Sequence, residues 1–146
     1  MKPMVYKSNR DRWFGKYRFS DTLAHGIYNG FQYWIMNLGS HPTAYVEIPK
    51  GHRYFGCHYD KVPVVCHYGL TYSEDHLIFH EYSPKYKCDV KTRITDTWIV
   101  GWDYAHSGDY YASFLGSIGG RKYKTEEIFD EVKQVINQLK ELETDE

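Results

Sequence analysis

Ile128, Val132, Val135, Leu139 and Leu142 recur in steps of four, three, four and three residues near the end of the chain. That spacing draws a single apolar stripe along an α-helix, and Phe129 and Ile136 widen it. Thr125 is placed to cap the N-terminus, while Glu126 and Glu127 complement the positive end of the helix dipole. The helix is therefore expected within residues 125–143, with a regular part of about 16 residues spanning ~24 Å. A stripe of this kind must be buried. The chain can lay it across a sheet of its own, and the same spacing also permits a helix–helix dimer seam.

The rest of the sequence supplies strands. In HGIYNGFQYWIMN, Asn29 and Gly30 both tolerate positive φ, as a type I′ hairpin turn demands, so strands are expected at about 24–28 and 31–37. TAYVEIP alternates Ala44, Val46 and Ile48 with Thr43, Tyr45 and Glu47, and Pro49 stops it. VVCHYGLTYS reads as a short strand bent at Gly69, HLIFHEY as another, and KTRITDTWIVGW as one run ending at Trp102. KGHRYFGCHYDKVP has no period and reads as a loop. YYASFLGSIGGRKYK, with three glycines, reads as a flexible stretch. The expected fold class is α+β. It is a single domain over 1–146: a mainly antiparallel sheet of five or six strands with the C-terminal amphipathic helix packed on one face. Residues 1–20 form a separate basic and aromatic segment, with Lys2, Lys7, Arg10, Arg12, Lys16 and Arg18 interleaved with Trp13, Phe14, Tyr17 and Phe19.

Composition narrows the partners. Eighteen basic residues against 19 acidic ones give no polycationic surface for bulk nucleic acid. No stretch approaches the ~20 apolar residues of a membrane span, and the N-terminus lacks the apolar core of a secretory signal, so a cytoplasmic protein is expected. Cys57, Cys66 and Cys88 have no paired spacing and read as reduced thiols, not as a zinc site. Fifteen tyrosines and four tryptophans suit a β-rich core, and equally an interface or a base-stacking site.

Three polar clusters carry the chemistry. In YVEIPKGHRYFG, Glu47 is followed by Lys50, His52, Arg53 and Tyr54, cations beside rings that suit phosphate oxygens and a base. In CHYGLTYS, His67 and Thr71 would share a strand face with Gly69 between them, and Tyr72 adds a ring. In GWDYAHSGDY, Trp102 precedes Asp103, His106 and Asp109. The last stretch has two readings: ionisable groups at a sheet rim, or a turn whose Asp and Ser side chains bond their own backbone. His67, Asp103, His106 and Asp109 are ligand types for zinc, manganese or iron, yet no recognised metal spacing links them. Nucleophile elbows, phosphate loops and dinucleotide fingerprints are missing.

YVEIPKGHRYFG, HYGLTYS and GWDYAHSGD, in that order, resemble a broad group of small proteins encoded by tailed phages and prophages, chiefly of Gram-positive bacteria. The group's pattern runs aromatic-Val-Glu-Ile-Pro-x-Gly-His, His-Gly-Gly-Leu-Thr and Gly-x-Asp-x-Ala-His-x-Gly-Asp, then a C-terminal helix, and it covers roughly residues 30–143. The resemblance singles out Glu47, His52, His67, Thr71, Asp103, His106 and Asp109 without assigning roles. Tyr68 departs from it, standing where the pattern has glycine; it would either narrow a pocket or add a stacking ring. Residues 74–97 are longer than in the group.

By analogy with phage proteins that sequester nucleotide immune signals, the resemblance implies a counter-defence factor in the cytoplasm of an infected bacterium. Such a factor binds a small nucleotide-like ligand without cleaving it, needs no cofactor or metal, and acts as a homo-oligomer with pockets between subunits. Glu47, Lys50, His52, Arg53, Tyr54, His67, Thr71, Tyr72, Trp102, Asp103, His106 and Asp109 are the expected ligand-binding residues. Two alternatives stand beside it. One is a phosphoester hydrolase, with His67, Asp103, His106 and Asp109 as metal ligands or as acid and base. The other is a protein–protein inhibitor or virion accessory protein.

Overall fold

The computed structural model describes residues 4–5, 21–38, 41–83, 85, 87–106, 109, 111–113, 116–118 and 120–143. The basic, aromatic N-terminal segment lies outside the described residues, apart from a two-residue strand. The strands are β1 (Met4–Val5), β2 (Asp21–Tyr28), β3 (Phe31–Asn37), β4 (Pro42–Glu47), β5 (Tyr72–Glu74), β6 (Leu77–Ser83), β7 (Cys88–Thr95), β8 (Ile99–Asp103), β9 (Tyr111–Ser113) and β10 (Gly116–Ile118). The α-helix α1 (Thr125–Glu141) follows. Six strands form one sheet in the order β1-β2-β3-β4-β8-β5, every neighbouring pair antiparallel. β6 pairs with β7 and β9 with β10 as separate hairpins. The expected α+β class, sheet and covering helix are all present.

Alternation along the strands sorts two apolar layers. Phe31, Tyr33 and Ile35 of β3, Ala44 and Val46 of β4, and Val100 and Trp102 of β8 face α1. Ile128, Val132, Val135, Ile136 and Leu139 of α1 pack into them and are fully buried. Each such side chain contributes about 1.5–3 kcal/mol by leaving water. The helix stripe is thus buried against the chain's own sheet and is not left for a second helix. On the opposite face, Trp34, Met36, Tyr45 and Ile99 pack with Leu77 of β6, and Ile94 of β7 borders them.

Asn29 (φ 49°) and Gly30 (φ 85°) make the β2–β3 turn in the left-handed conformation their sequence implies. Four local expectations change. Residues 64–71 form no strand, so His67 and Thr71 do not share a strand face. The chain turns at Tyr68 (φ 57°) and Gly69 (φ 82°), with Gly69 N donating to Cys66 O at 2.9 Å. The run from 91 to 102 is two strands in different sheets, because the chain bends at Asp96–Trp98 between β7 and β8. The stretch expected to be flexible contains the β9–β10 hairpin. Thr125 is the first helical residue and Lys124 the N-cap, with the Glu127 carboxylate accepting the Lys124 N–H at 2.9 Å.

Residues 48–71 lie between the sheet edge and the helix. Ile48 N donates to Trp98 O at 2.9 Å, and Trp98 Nε1 to Cys57 O at 3.1 Å. From the helix, Gln138 holds Val65 at both ends: its Oε1 accepts the Val65 N–H at 2.7 Å and its Nε2 donates to Val65 O at 2.8 Å. Among the described residues, no helix is long and apolar enough to cross a membrane.

Candidate functional site

The site forms where β8 ends. Asp103 stands in register with Thr43, and Tyr104 N donates to Pro42 O at 3.1 Å, carrying the pairing one residue further. The chain then folds over its own carboxylates. Asp103 Oδ1 accepts the Ala105 N–H at 3.1 Å, and Asp109 Oδ2 accepts the His106 N–H at 3.1 Å, while Asp109 N returns a bond to His106 O at 2.9 Å. So the turn reading of this motif holds, and the same two carboxylates also meet histidines. Ser107, Gly108 and Tyr110 lie outside the described residues.

His67 Nε2 is 2.7 Å from Asp109 Oδ2, and Asp109 is 3% exposed. A carboxylate only accepts, so the imidazole keeps its proton on Nε2 and presents Nδ1 as the remaining nitrogen. His106 Nε2 is 3.0 Å from Asp103 Oδ1, close enough for charge attraction but off the hydrogen-bond line, and it has no hydrogen-bond partner among the described residues. Asp103 Oδ2 accepts from Thr71 Oγ1 at 3.3 Å. The two imidazole rings lie 6.0 Å apart, centroid to centroid. Two His–Asp pairs, one within residues 103–109 and one that joins them to His67, therefore stand side by side at one rim of the sheet.

The His67 ring rests on an aromatic floor tied to α1. His67 stacks on Tyr104 at 4.6 Å, and Tyr123 meets both rings, at 5.2 Å from His67 and 4.8 Å from Tyr104. Glu131 accepts the His67 N–H at 2.7 Å and the Tyr104 hydroxyl with its other oxygen, while Trp102 Nε1 donates to the Tyr104 oxygen at 3.1 Å. Burial and the neighbouring Glu131 hold the Tyr104 phenol well above its ordinary range. Burial, helped by Glu131, pushes the Cys66 thiol up to about 12, so Cys66 is a neutral thiol beside the site. Tyr68 is mostly exposed, stacks on His106 at 4.5 Å and 12°, and meets His67 edge-on at 4.9 Å.

Of the twelve residues singled out by sequence, the structure gathers five here: His67, Thr71, Asp103, His106 and Asp109. Trp102 lies beneath them in the core, 1% exposed. Tyr72 faces the opposite layer, edge-on to Tyr45 at 5.2 Å, with its hydroxyl donating to His76 O at 3.0 Å. The other five sit at the far end of β4. Glu47 pairs with Ile99 four residues along from the Thr43–Asp103 pair, or ~13 Å at strand rise. Glu47 accepts from Gln32 Nε2 at 3.4 Å and from Thr97 Oγ1. Lys50 and Arg53 are exposed, with the Arg53 guanidinium 5.1 Å above the half-buried Tyr54 ring. His52 is 6% exposed and both ring nitrogens act within the fold: Nε2 donates to Leu139 O at 2.7 Å and Nδ1 accepts the Tyr54 N–H at 3.1 Å.

Sequence reasoning passed over His41, Tyr123 and Glu131. Burial lowers the His41 pKa; Asp103 and Asp109 act against that shift and His106 with it, so a third imidazole lies within electrostatic reach of both pairs. LGSHP reads only as a turn, and the signal for His41 is its place one residue before β4, opposite the Asp103 end of β8. Glu131 lies off the apolar stripe, where a carboxylate reads as solvent-facing. The four residues proposed for a metal pair off two by two. Among the described residues, the ligand-type side chains whose donor atoms do gather within 4.8 Å are Glu74, Asp75 and His76, at the β5–β6 turn.

No protein-family model, curated protein or solved structure matches the chain.

Proposed function

We propose that this chain binds and retains a small nucleotide-type ligand, with its phosphate seated at the paired imidazoles of His67 and His106. The observation that carries the reading is the adjacency of the His67–Asp109 and His106–Asp103 pairs. Each carboxylate anchors its imidazole, leaving the other ring nitrogen to meet a phosphate oxygen and to donate to it when the ring is charged. His67 is already positioned by Tyr104, Tyr123 and Glu131, and His106 lies between Asp103 and the Tyr68 ring, so little side-chain freedom is lost on binding, and preorganisation of this kind favours slow release. Thr71 adds a hydroxyl at the edge. The resemblance to phage proteins supports a bacterial immune signal as the ligand and the infected cell's cytoplasm as the place of action. Tight retention would lower the free signal without turnover, and pockets shared between subunits would strengthen it.

A specific feature favours a second reading. An imidazole held on a buried carboxylate through Nε2 leaves Nδ1 as a general base, the arrangement a phosphoester hydrolase would use. One experiment separates the two. The protein is incubated with cyclic mono- and dinucleotides, examined by native mass spectrometry, then heat-denatured, and the released molecule identified. Retention predicts a stoichiometric adduct released intact, and its loss in His106→Phe, which keeps a ring against Tyr68 and removes both nitrogens. Release of breakdown products alone would establish hydrolysis, and finding neither an adduct with nor breakdown of any nucleotide would sink both readings. The same spectra report subunit count and bound metal.

A further inference from the structure

We propose that Tyr68 is the platform on which the ligand's base stacks, so that this site prefers purine nucleotides to pyrimidine nucleotides and to base-free sugar phosphates. The inference rests on the phosphate reading of the His67–His106 pair and adds what reads the rest of the ligand.

Among the described residues, three non-glycine residues take positive φ: Asn29, Tyr68 and Lys87. Asn29 and Lys87 sit at the turns of the β2–β3 and β6–β7 hairpins, where the reversal itself demands that backbone. Asparagine tolerates it; a bulky aromatic residue does so only at a conformational cost, because its Cβ crowds the following carbonyl. Glycine would make the turn at 68 without that cost, as Gly69 does at the next position with φ 82°. Nor does folding recover the loss through burial, since Tyr68 is 60% exposed. What the tyrosine contributes is position. Its ring lies flat on His106 and edge-on to His67, directly at the two imidazoles. Strain kept at an exposed aromatic residue beside a polar cluster is the pattern of a ligand-contacting residue.

Stacking reads the π-face of a base rather than its hydrogen-bonding edge, so it grades bases by ring area: purine above pyrimidine above none. Among the described residues, two other rings close to the imidazoles lack this surface. Tyr104 is 1% exposed and lies under His67, and Trp102 is in the core.

The test is a calorimetric titration of the full chain with AMP, CMP and ribose 5-phosphate, in parallel with Tyr68→Gly and Tyr68→Trp. In the parent chain AMP should bind roughly tenfold more tightly than ribose 5-phosphate, with CMP between them. Tyr68→Gly should bring the three affinities to within about twofold of one another, the loss falling mainly on AMP. Its melting temperature should hold or rise, because glycine suits the backbone, which excludes misfolding as the cause. Tyr68→Trp should keep the ranking. If ribose 5-phosphate binds as tightly as AMP in the parent, or Tyr68→Gly preserves the ranking, the stacking proposal is overturned while the phosphate site stands. If none of the three compounds binds, the phosphate reading fails and the stacking proposal with it.

Discussion

Gly101 opens the GWDYAHSGDY motif, and its replacement by alanine tests whether the sheet beneath the site is packed as described. Gly101 is in register with Tyr45 of β4 on one side and Tyr72 of β5 on the other, and those two rings meet edge-on at 5.2 Å. A Cβ at 101 would lie 2.6 Å from Tyr45 Cδ1 and 2.7 Å from the Ala44 carbonyl oxygen. Both distances are about 0.7–0.8 Å inside the 3.4 Å at which ordinary contact begins. The Tyr45 ring can tilt only against its neighbours, and the Ala44 oxygen belongs to the backbone of the adjoining strand. Overpacking of a sheet interior costs about 1–3 kcal/mol, and a clash with backbone falls at the upper end. For a chain of this length a loss of about 3 kcal/mol lowers the melting temperature by roughly 6–12 °C. Thermal and urea unfolding followed by circular dichroism measure it, with an unchanged urea slope showing that only stability has moved. Adding Tyr45→Leu should recover only part of the loss, since the Ala44 oxygen remains. A loss under about 0.5 kcal/mol, or complete rescue by Tyr45→Leu, would refute the packing argument.

Further outcomes follow from other contacts in the fold. His52→Ala removes the hydrogen bond that ties the 50–56 loop to the helix C-terminus and the one that holds the Tyr54 N–H within the loop, and opens a cavity beside Phe31; it should cost about 2–4 kcal/mol in urea unfolding and leave ligand affinity per folded molecule unchanged, whereas lost affinity at full stability would return His52 to the site. Stability should also fall at both ends of the pH range. Burial raises Tyr33 and Tyr72 from 10.0 to about 12, so their contribution is complete below pH 10 and is lost as pH climbs towards 12; the tyrosinate absorbance that Tyr33→Phe or Tyr72→Phe subtracts from the parent should appear only together with unfolding, and its appearance in the still-folded chain would contradict the burial. Burial lowers His41 from 6.5, so its contribution is present above that pH and shrinks as pH falls below it; His41→Gln should flatten the acid side of the stability profile.

The elements differ in how far local pattern reaches. The stripe from Ile128 to Leu139 and the Asn29–Gly30 turn are governed by neighbours within one or two turns of chain, and both are where the pattern puts them. Residues 64–71 have the composition of a strand and are not one. Their backbone is held by Glu131 and Gln138, 64 and 73 residues away, so no window of sequence contains both partners. The run from Lys91 to Trp102 looks continuous, and only its division between two sheets exposes the bend at Asp96–Trp98.

The candidate site divides along the same line. Its residue types are legible: His67, Asp103, His106 and Asp109 stand out in any reading of the chain. Their partnerships are not. His67 and Asp109 lie 42 residues apart, and Glu47, Lys50, His52, Arg53 and Tyr54, equally suggestive in composition, end up at the other end of β4. Sequence alone determined the helix, the hairpin turn and the α+β class, because periodicity and turn chemistry act between near neighbours. Tertiary structure decided which histidine meets which carboxylate, and which of the many tyrosines stands exposed beside them, because those contacts form only where strand register and helix packing bring distant segments together.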